Sequence, residues 1–210
     1  MIASAAPRVF LVDDDASVRR SLVRLVKTAG YETEPFASVR EFLARAPYDG
    51  PCCLVLDVRM PGLTGLDLQE ALRVAGQRVS IVFITGHRDV PVSVKAMKAG
   101  AVDFLTKPVD AETLLGAIRQ AVARTLTDRR RQARVTGIRD RIATLTPREA
   151  EVFALVVTGM LNKQIGSELG IAEKTVKVHR ARVMEKMQAG SVAELVRLAD
   201  RAGVVVPKTS

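Results

Sequence analysis

Cys53-Leu54-Val55-Leu56-Asp57-Val58-Arg59-Met60-Pro61-Gly62 is the stretch on which the reading of this chain turns. An apolar run ends on a carboxylate, and a loop with an arginine and a Pro-Gly turn follows it. Apolar runs of this length between helix-like stretches read as parallel strands buried on both faces. The pattern recurs on either side. Val9-Phe10-Leu11-Val12 runs into Asp13-Asp14, Ile81-Val82-Phe83-Ile84 into Thr85, and Ala101-Val102-Asp103-Phe104-Leu105 into Lys107-Pro108. Ligands of an open parallel sheet bind in the crevice outside the carboxyl ends of its strands. One crevice is therefore expected to gather Asp13, Asp14, Asp57, Thr85, Lys107 and the loop 58–62.

That set suits a hard divalent cation and a phosphoryl group. Clustered carboxylates repel, and Mg²⁺ relieves the repulsion while taking oxygen ligands. An ammonium and a hydroxyl facing them are what a transferring phosphoryl group requires. Taken singly, each carboxylate also reads as a helix cap, the role expected of Asp15 before Ala16-Ser17-Val18. The joint register of all five islands with strand ends is what favours a site.

The second half has a different character. Residues 1–123 hold 15 Lys+Arg against 14 Asp+Glu, whereas residues 124–210 hold 17 against 9, so nearly all of the net charge of +9 lies C-terminal. A basic half joined to a near-neutral one implies a polyanionic partner for the basic one. The two meet in an arginine-rich stretch holding Arg124, Arg129, Arg130, Arg131, Arg134, Arg139 and Arg141 against Asp128 and Asp140. Its sparse apolar residues predict an exposed helical linker over 124–143 that buries little and breaks at Gly137.

Residues 145–203 read as four short helices. Thr146-Pro147-Arg148-Glu149 offers a threonine N-cap, proline at N1 and glutamate at N3, a capping box. Asn162 to Leu169, ended by Gly170, is followed by a short turn and a longer helix from Glu173 to about Met187, which is a helix-turn-helix pattern. In that last helix Val176, Arg180 (by its stem), Val183 and Met187 recur at core spacing. The opposite side presents Lys174, Lys177, Val178, Ala181 and Arg182, a cationic face with small apolar members that suits a major groove. His179 reads as a surface or phosphate-contacting histidine. A final helix is capped by Ser191.

On these residues the segment 7–123 resembles the receiver domain of two-component response regulators, with 57–65 the closest match. The segment from Leu145 to about Ala199 resembles the LuxR-type helix-turn-helix of the NarL/FixJ family. The match rests on Leu145 to Glu149, Asn162 to Ile165 and Lys174 to Arg180, and Asp89-Val90-Pro91 and 94–100 point to the FixJ branch. The resemblance implies a flavodoxin-like (CheY-like), doubly wound five-stranded parallel receiver over 7–123. A helical linker over 124–143 would join it to a four-helix DNA-binding domain over 144–205. It implies Asp57 as phospho-acceptor, and Mg²⁺ held by Asp14, Asp57 and the Arg59 carbonyl, with Asp13 acting through water. It makes Thr85 the switch hydroxyl, Lys107 the phosphoryl-binding cation, Phe104 the switch aromatic and Lys107-Pro108 a cis peptide. Lys177, Val178 and Ala181 would face bases, while Lys174, Thr175, His179 and Arg182 would hold phosphates. The implied partners are a sensor histidine kinase in a phosphorelay, double-stranded DNA, a second copy on phosphorylation and RNA polymerase, with transcription activation as output. Three departures stand out: Arg88 where relatives carry glycine, Met160 where a basic residue is common, and Gly166 where alanine is usual. Gly166 predicts a softer helix.

Adjacent Cys52 and Cys53 read as core residues on opposite sides of a strand, and two cysteines make no structural zinc site. No apolar run approaches 18 residues and the N-terminus lacks signal-peptide features, which implies a cytoplasmic protein without a membrane partner. Scarce aromatics argue against base-stacking recognition of single strands. Two other classes stay open at this stage. One is a small phosphatase, against which stands the absence of an Asp-x-Asp pair; the other is a DNA-binding protein that ignores phosphorylation. A non-enzymatic switch fits the residues better than either.

Overall fold

A computed structural model of the chain describes residues 6–77, 79–86 and 90–204. The apolar runs become strands β1 (Arg8–Val12), β3 (Cys52–Asp57), β4 (Ser80–Thr85) and β5 (Asp103–Thr106). With β2 (Glu32–Phe36) they form one parallel sheet in the order β2-β1-β3-β4-β5. The order reverses direction between β1 and β3, so the crevice of the doubly wound sheet opens there. Val12 pairs with Leu56, which sets Asp13 beside Asp57.

Strand alternation splits the core in two. Phe10, Leu54, Leu56 and Phe83 face α2 (Val39–Ala44), α3 (Gly65–Val74) and α4 (Val90–Lys98). Val9, Leu11, Val55 and Ile84 face Leu22 and Val26 of α1 (Ala16–Thr28) and Leu114 and Ile118 of α5 (Ala111–Ala143). Each fully buried side chain of this kind contributes roughly 1.5–3 kcal/mol of transfer free energy. Cys52 and Cys53 fall on opposite faces, both free and buried. β2 is the strand that no apolar run announces. It is an edge strand that carries Pro35, and Glu32 and Glu34 pair with Arg8 across β1 at 2.9 and 3.4 Å. Proline and charge are tolerated on an edge and deter pairing with another chain.

The chain divides into two compact units between Arg129 and Arg130. The expected break at Gly137 is absent, because α5 runs unbroken to Ala143. Nor does 124–143 bury little. The Thr125 hydroxyl is buried and donates to the Cys52 carbonyl at 2.8 Å, and Arg129 donates to the carbonyls of Asp49 and Tyr48. Further along, Ile138 is buried in the core of the second unit. Arg139 and Arg141 there donate to the carbonyls of Ala202 and Met187, at 3.2 and 2.8 Å. Two arginines that read as solvated charge thus cap the C-terminal ends of helices, where cations are stabilising.

The second unit continues with α6 (Pro147–Val157), α7 (Asn162–Leu169), α8 (Glu173–Met187) and α9 (Val192–Ala202). The Thr146/Glu149 capping box forms as expected, and Gly170 closes α7 in the left-handed conformation, φ 63°. Gly166 is not a mere weak point. A Cβ there would lie 2.8 Å from the Ile171 carbonyl, so the missing side chain lets α7 approach the turn before α8. Among the described residues no helix is long and apolar enough to cross a membrane.

Candidate functional site

Asp13 follows β1, Asp57 ends β3 and Thr85 ends β4, and they are 1%, 6% and 2% exposed. The loops above them are stitched by main-chain bonds, Val58 N–H to the Ile84 carbonyl at 3.1 Å and Lys107 N–H to the Thr85 carbonyl at 2.7 Å. Lys107 Nζ thereby reaches Asp13 Oδ2 and Asp57 Oδ2, both at 2.7 Å. The peptide bond between Lys107 and Pro108 is cis. Arg59 N–H donates to Asp57 Oδ1 at 3.2 Å. Asp15 takes the capping role, accepting from the N–H groups of Ser17 and Val18.

One oxygen from each of Asp13, Asp14 and Asp57 lies within 4.8 Å of the others. Hard oxygens this close suit Mg²⁺, which keeps part of its water shell, and Asp14 is exposed on the open side. Burial raises the Asp13 carboxyl above its ordinary value, against the opposing pull of Lys107. Burial alone would lower Lys107, but its bonds to Asp13 and Asp57 outweigh that and hold it above the usual lysine value. The crevice therefore holds one ammonium that only partly compensates the carboxylates around it.

Phe104 lies on β5, half-buried, with its ring centroid 6.1 Å from that of Phe83. It lines a cavity of about 500 Å³ together with Val90 and Ser93 of α4. Arg88, with His87 and Asp89, lies outside the described residues.

Two supports of the crevice were not found from the chain. Arg19 Nη1 donates to the Asp13 main-chain carbonyl at 2.6 Å and steadies the loop after β1. Gly65 opens α3 against the end of β3, where a Cβ would meet the Asp57 carbonyl at 2.3 Å. Glycine eight residues beyond a strand-end carboxylate, in Gly62-Leu63-Thr64-Gly65, was the available signal for the second. Nothing local marked the first.

In the second unit Val176, Val183 and Met187 are fully buried, as their spacing demanded. Lys174, Thr175, Lys177, Val178, Ala181 and Arg182 are exposed on α8, and His179 is half-buried with its Nδ1 covered. Lys177 pairs with Glu173 one turn away at 3.1 Å. Arg180 does more than bury its stem, since its Nη1 donates to Asn162 Oδ1 at 2.6 Å and ties α8 to the start of α7.

The model of the response regulator receiver domain matches residues 9–119, and that of the bacterial regulatory proteins of the luxR family matches residues 143–199. The chain belongs to the NarL/FixJ family of two-component response regulators, DNA-binding transcription regulators that join a receiver to a LuxR-type helix-turn-helix. It is 48% identical over 202 residues to nodulation protein W of Bradyrhizobium diazoefficiens, covering 96% of this chain and 89% of that one. It is 44% identical over 200 residues to the response regulator protein TodT of Pseudomonas putida, covering 95% and 88%. Among solved structures, the response regulator StyR has 45% identity and a TM-score of 0.83, covering 94% of this chain and 100% of its own.

Proposed function

We propose that the chain is a phosphorylation-controlled transcription activator, working in the cytoplasm, whose phospho-acceptor is Asp57. The observation that carries the reading is Lys107 held at 2.7 Å from both Asp13 and Asp57, with Asp14 completing the acidic cluster. An Asp57 oxygen attacks the phosphorus of the kinase's phosphohistidine. The P–O bond forms, the P–N bond breaks and the imidazole leaves. Asp14, Asp57 and the Arg59 carbonyl would hold Mg²⁺, with Asp13 through water; the ion, when bound, neutralises charge on the phosphoryl oxygens. Lys107 then exchanges a carboxylate of its pair for a phosphoryl oxygen, and the Thr85 hydroxyl donates to another.

Drawing Thr85 inward makes room for Phe104 to turn, which reshapes the surface around 91–99, 101–106 and 110–121 and pairs two receivers. Pairing brings two α8 helices to half-sites one helical turn apart and raises DNA affinity through effective concentration. Lys177, Val178 and Ala181 face base edges, while Lys174, Thr175, His179 and Arg182 hold phosphates, and the bound dimer presents itself to RNA polymerase.

The test measures molecular mass and DNA binding together, in Mg²⁺, before and after beryllofluoride. Both are expected to rise in the natural chain and to stay flat in Asp57→Asn. Tight DNA binding that never changes would instead establish a receiver with no part in DNA binding.

A further inference from the structure

Helix α4 is fastened at its C-terminal end. Gln69, in the second turn of α3, is 5% exposed, and its Nε2 donates to the Ala96 carbonyl at 3.1 Å. The same carbonyl accepts the Ala101 N–H at 3.1 Å, so both its lone pairs are used. Just beyond, the Val102 N–H donates to Ile81 of β4 at 2.7 Å, and Arg124 of α5 reaches the Gly100 carbonyl at 3.2 Å. The other half of α4 has different surroundings. Val90 is 70% exposed, and Val90 and Ser93 line a cavity of about 500 Å³ together with Phe104 and Val109. One end of the helix is tied into the sheet and its neighbouring helices, while the other packs Val92 on the core and borders the cavity with Val90 and Ser93.

Helix α3 links that tie to the crevice. It starts at Gly65, whose N–H donates to the Val58 carbonyl at 3.1 Å and where an added Cβ would meet the Asp57 carbonyl. We propose that Gln69 is a positioning residue that pins Ala96 as a pivot, so that α4 answers phosphorylation by swinging its N-terminal half across the cavity beside Phe104. The pin is a buried amide-to-carbonyl bond, which is strong in a dry seam and expensive to leave half-made. The inference rests on the switch proposed above, and it adds which end of α4 stays still and which side chain holds it.

Hydrogen exchange on the full chain in Mg²⁺, with and without beryllofluoride, tests the pivot alongside molecular mass. In the natural chain the response is expected over 90–95 and not over 96–102. Gln69→Met should spread it into 96–102 and weaken beryllofluoride-driven dimerisation about fivefold, the worth of one buried hydrogen bond. Leu22→Ala, a core loss on the opposite sheet face, should leave both readouts as in the natural chain. An equal loss of response in Leu22→Ala would reduce Gln69 to a stability effect and overturn the proposal. Arg124→Gln, which removes an exposed tie, should speed exchange at 98–102 and serves if Gln69→Met does not fold. Natural exchange and dimerisation in Gln69→Met would remove the pivot and leave the switch standing. No beryllofluoride response in the natural chain would remove both.

Discussion

In the receiver, Asp13, Asp57 and Lys107 are drawn out of water and held within 2.7 Å contacts, whereas along α8 the cations Lys174, Lys177 and Arg182 stand in solvent. Among the described residues of the second unit the buried carboxylate is Glu149. It completes the cap of α6 and meets Lys186 at 2.6 Å. Burial of charge therefore marks the functional site in one unit and the scaffold in the other. The chemistry explains the contrast. Phosphoryl transfer needs a few charges preorganised in a low-dielectric crevice. Binding a polyanion needs charges free to shed counterions, and their exposure is the working state.

The comparison breaks most sharply at Lys107. Lys107→Met leaves two buried carboxylates without their cation and should cost the N-terminal unit about 3 kcal/mol in chemical denaturation without divalent ions. Mg²⁺ should restore much of it by binding the folded acidic cluster. A loss under about 1 kcal/mol would mean that the crevice relaxes and is not preorganised.

Glu149 sharpens the other half. Its bonds to Lys186 and to the Thr146 N–H hold its carboxyl down to about 2, from 4.5. A depressed carboxylate stabilises the fold above its unfolded pKa and loses that contribution as pH falls through the folded value. Melting of the second unit should thus weaken between about pH 4.5 and 2, and Glu149→Gln should flatten that slope while lowering stability at neutral pH. A slope unchanged by the substitution would assign the acid sensitivity to other groups.

Gly166→Ala sets two magnitudes against each other. Helix propensity gains roughly 0.5–1 kcal/mol, while forcing a methyl against the Ile171 carbonyl costs roughly 1–3 kcal/mol. Overpacking against backbone should win, with a net loss of about 1 kcal/mol in thermal unfolding. The smallest effect on stability is expected at Arg182→Gln, within about 0.5 kcal/mol. Its signature belongs in binding, where the slope of log affinity against log salt should fall by about 1 across DNA sequences. A stability loss there would blur the contrast between the units.

Much of this molecule is legible in its chain alone. Four strands announced themselves as apolar runs, and their polar ends met where sheet topology requires. β2 stayed hidden because an edge strand needs no apolar run, and Glu-Thr-Glu-Pro-Phe satisfies its single pairing with charges outward. The linker misled for a related reason. Its arginines were counted as solvated charge, although Arg129, Arg139 and Arg141 end on carbonyls up to 81 positions away in the chain.

The division between chain and fold has a physical basis. Periodicity, caps and strand-end carboxylates are local, so the chain by itself determined the strand runs, the helix boundaries of the second unit and the meeting of Asp13, Asp14, Asp57 and Lys107. Arg19, Gln69 and Arg141 act on main-chain carbonyls, an acceptor that every residue carries and no residue type signals. Gly65 and Gly166 act through the space a Cβ would fill, and that space exists only once another segment has packed against it. Which carbonyl lies within reach, and which glycine faces a neighbouring backbone, was decided by the tertiary structure alone.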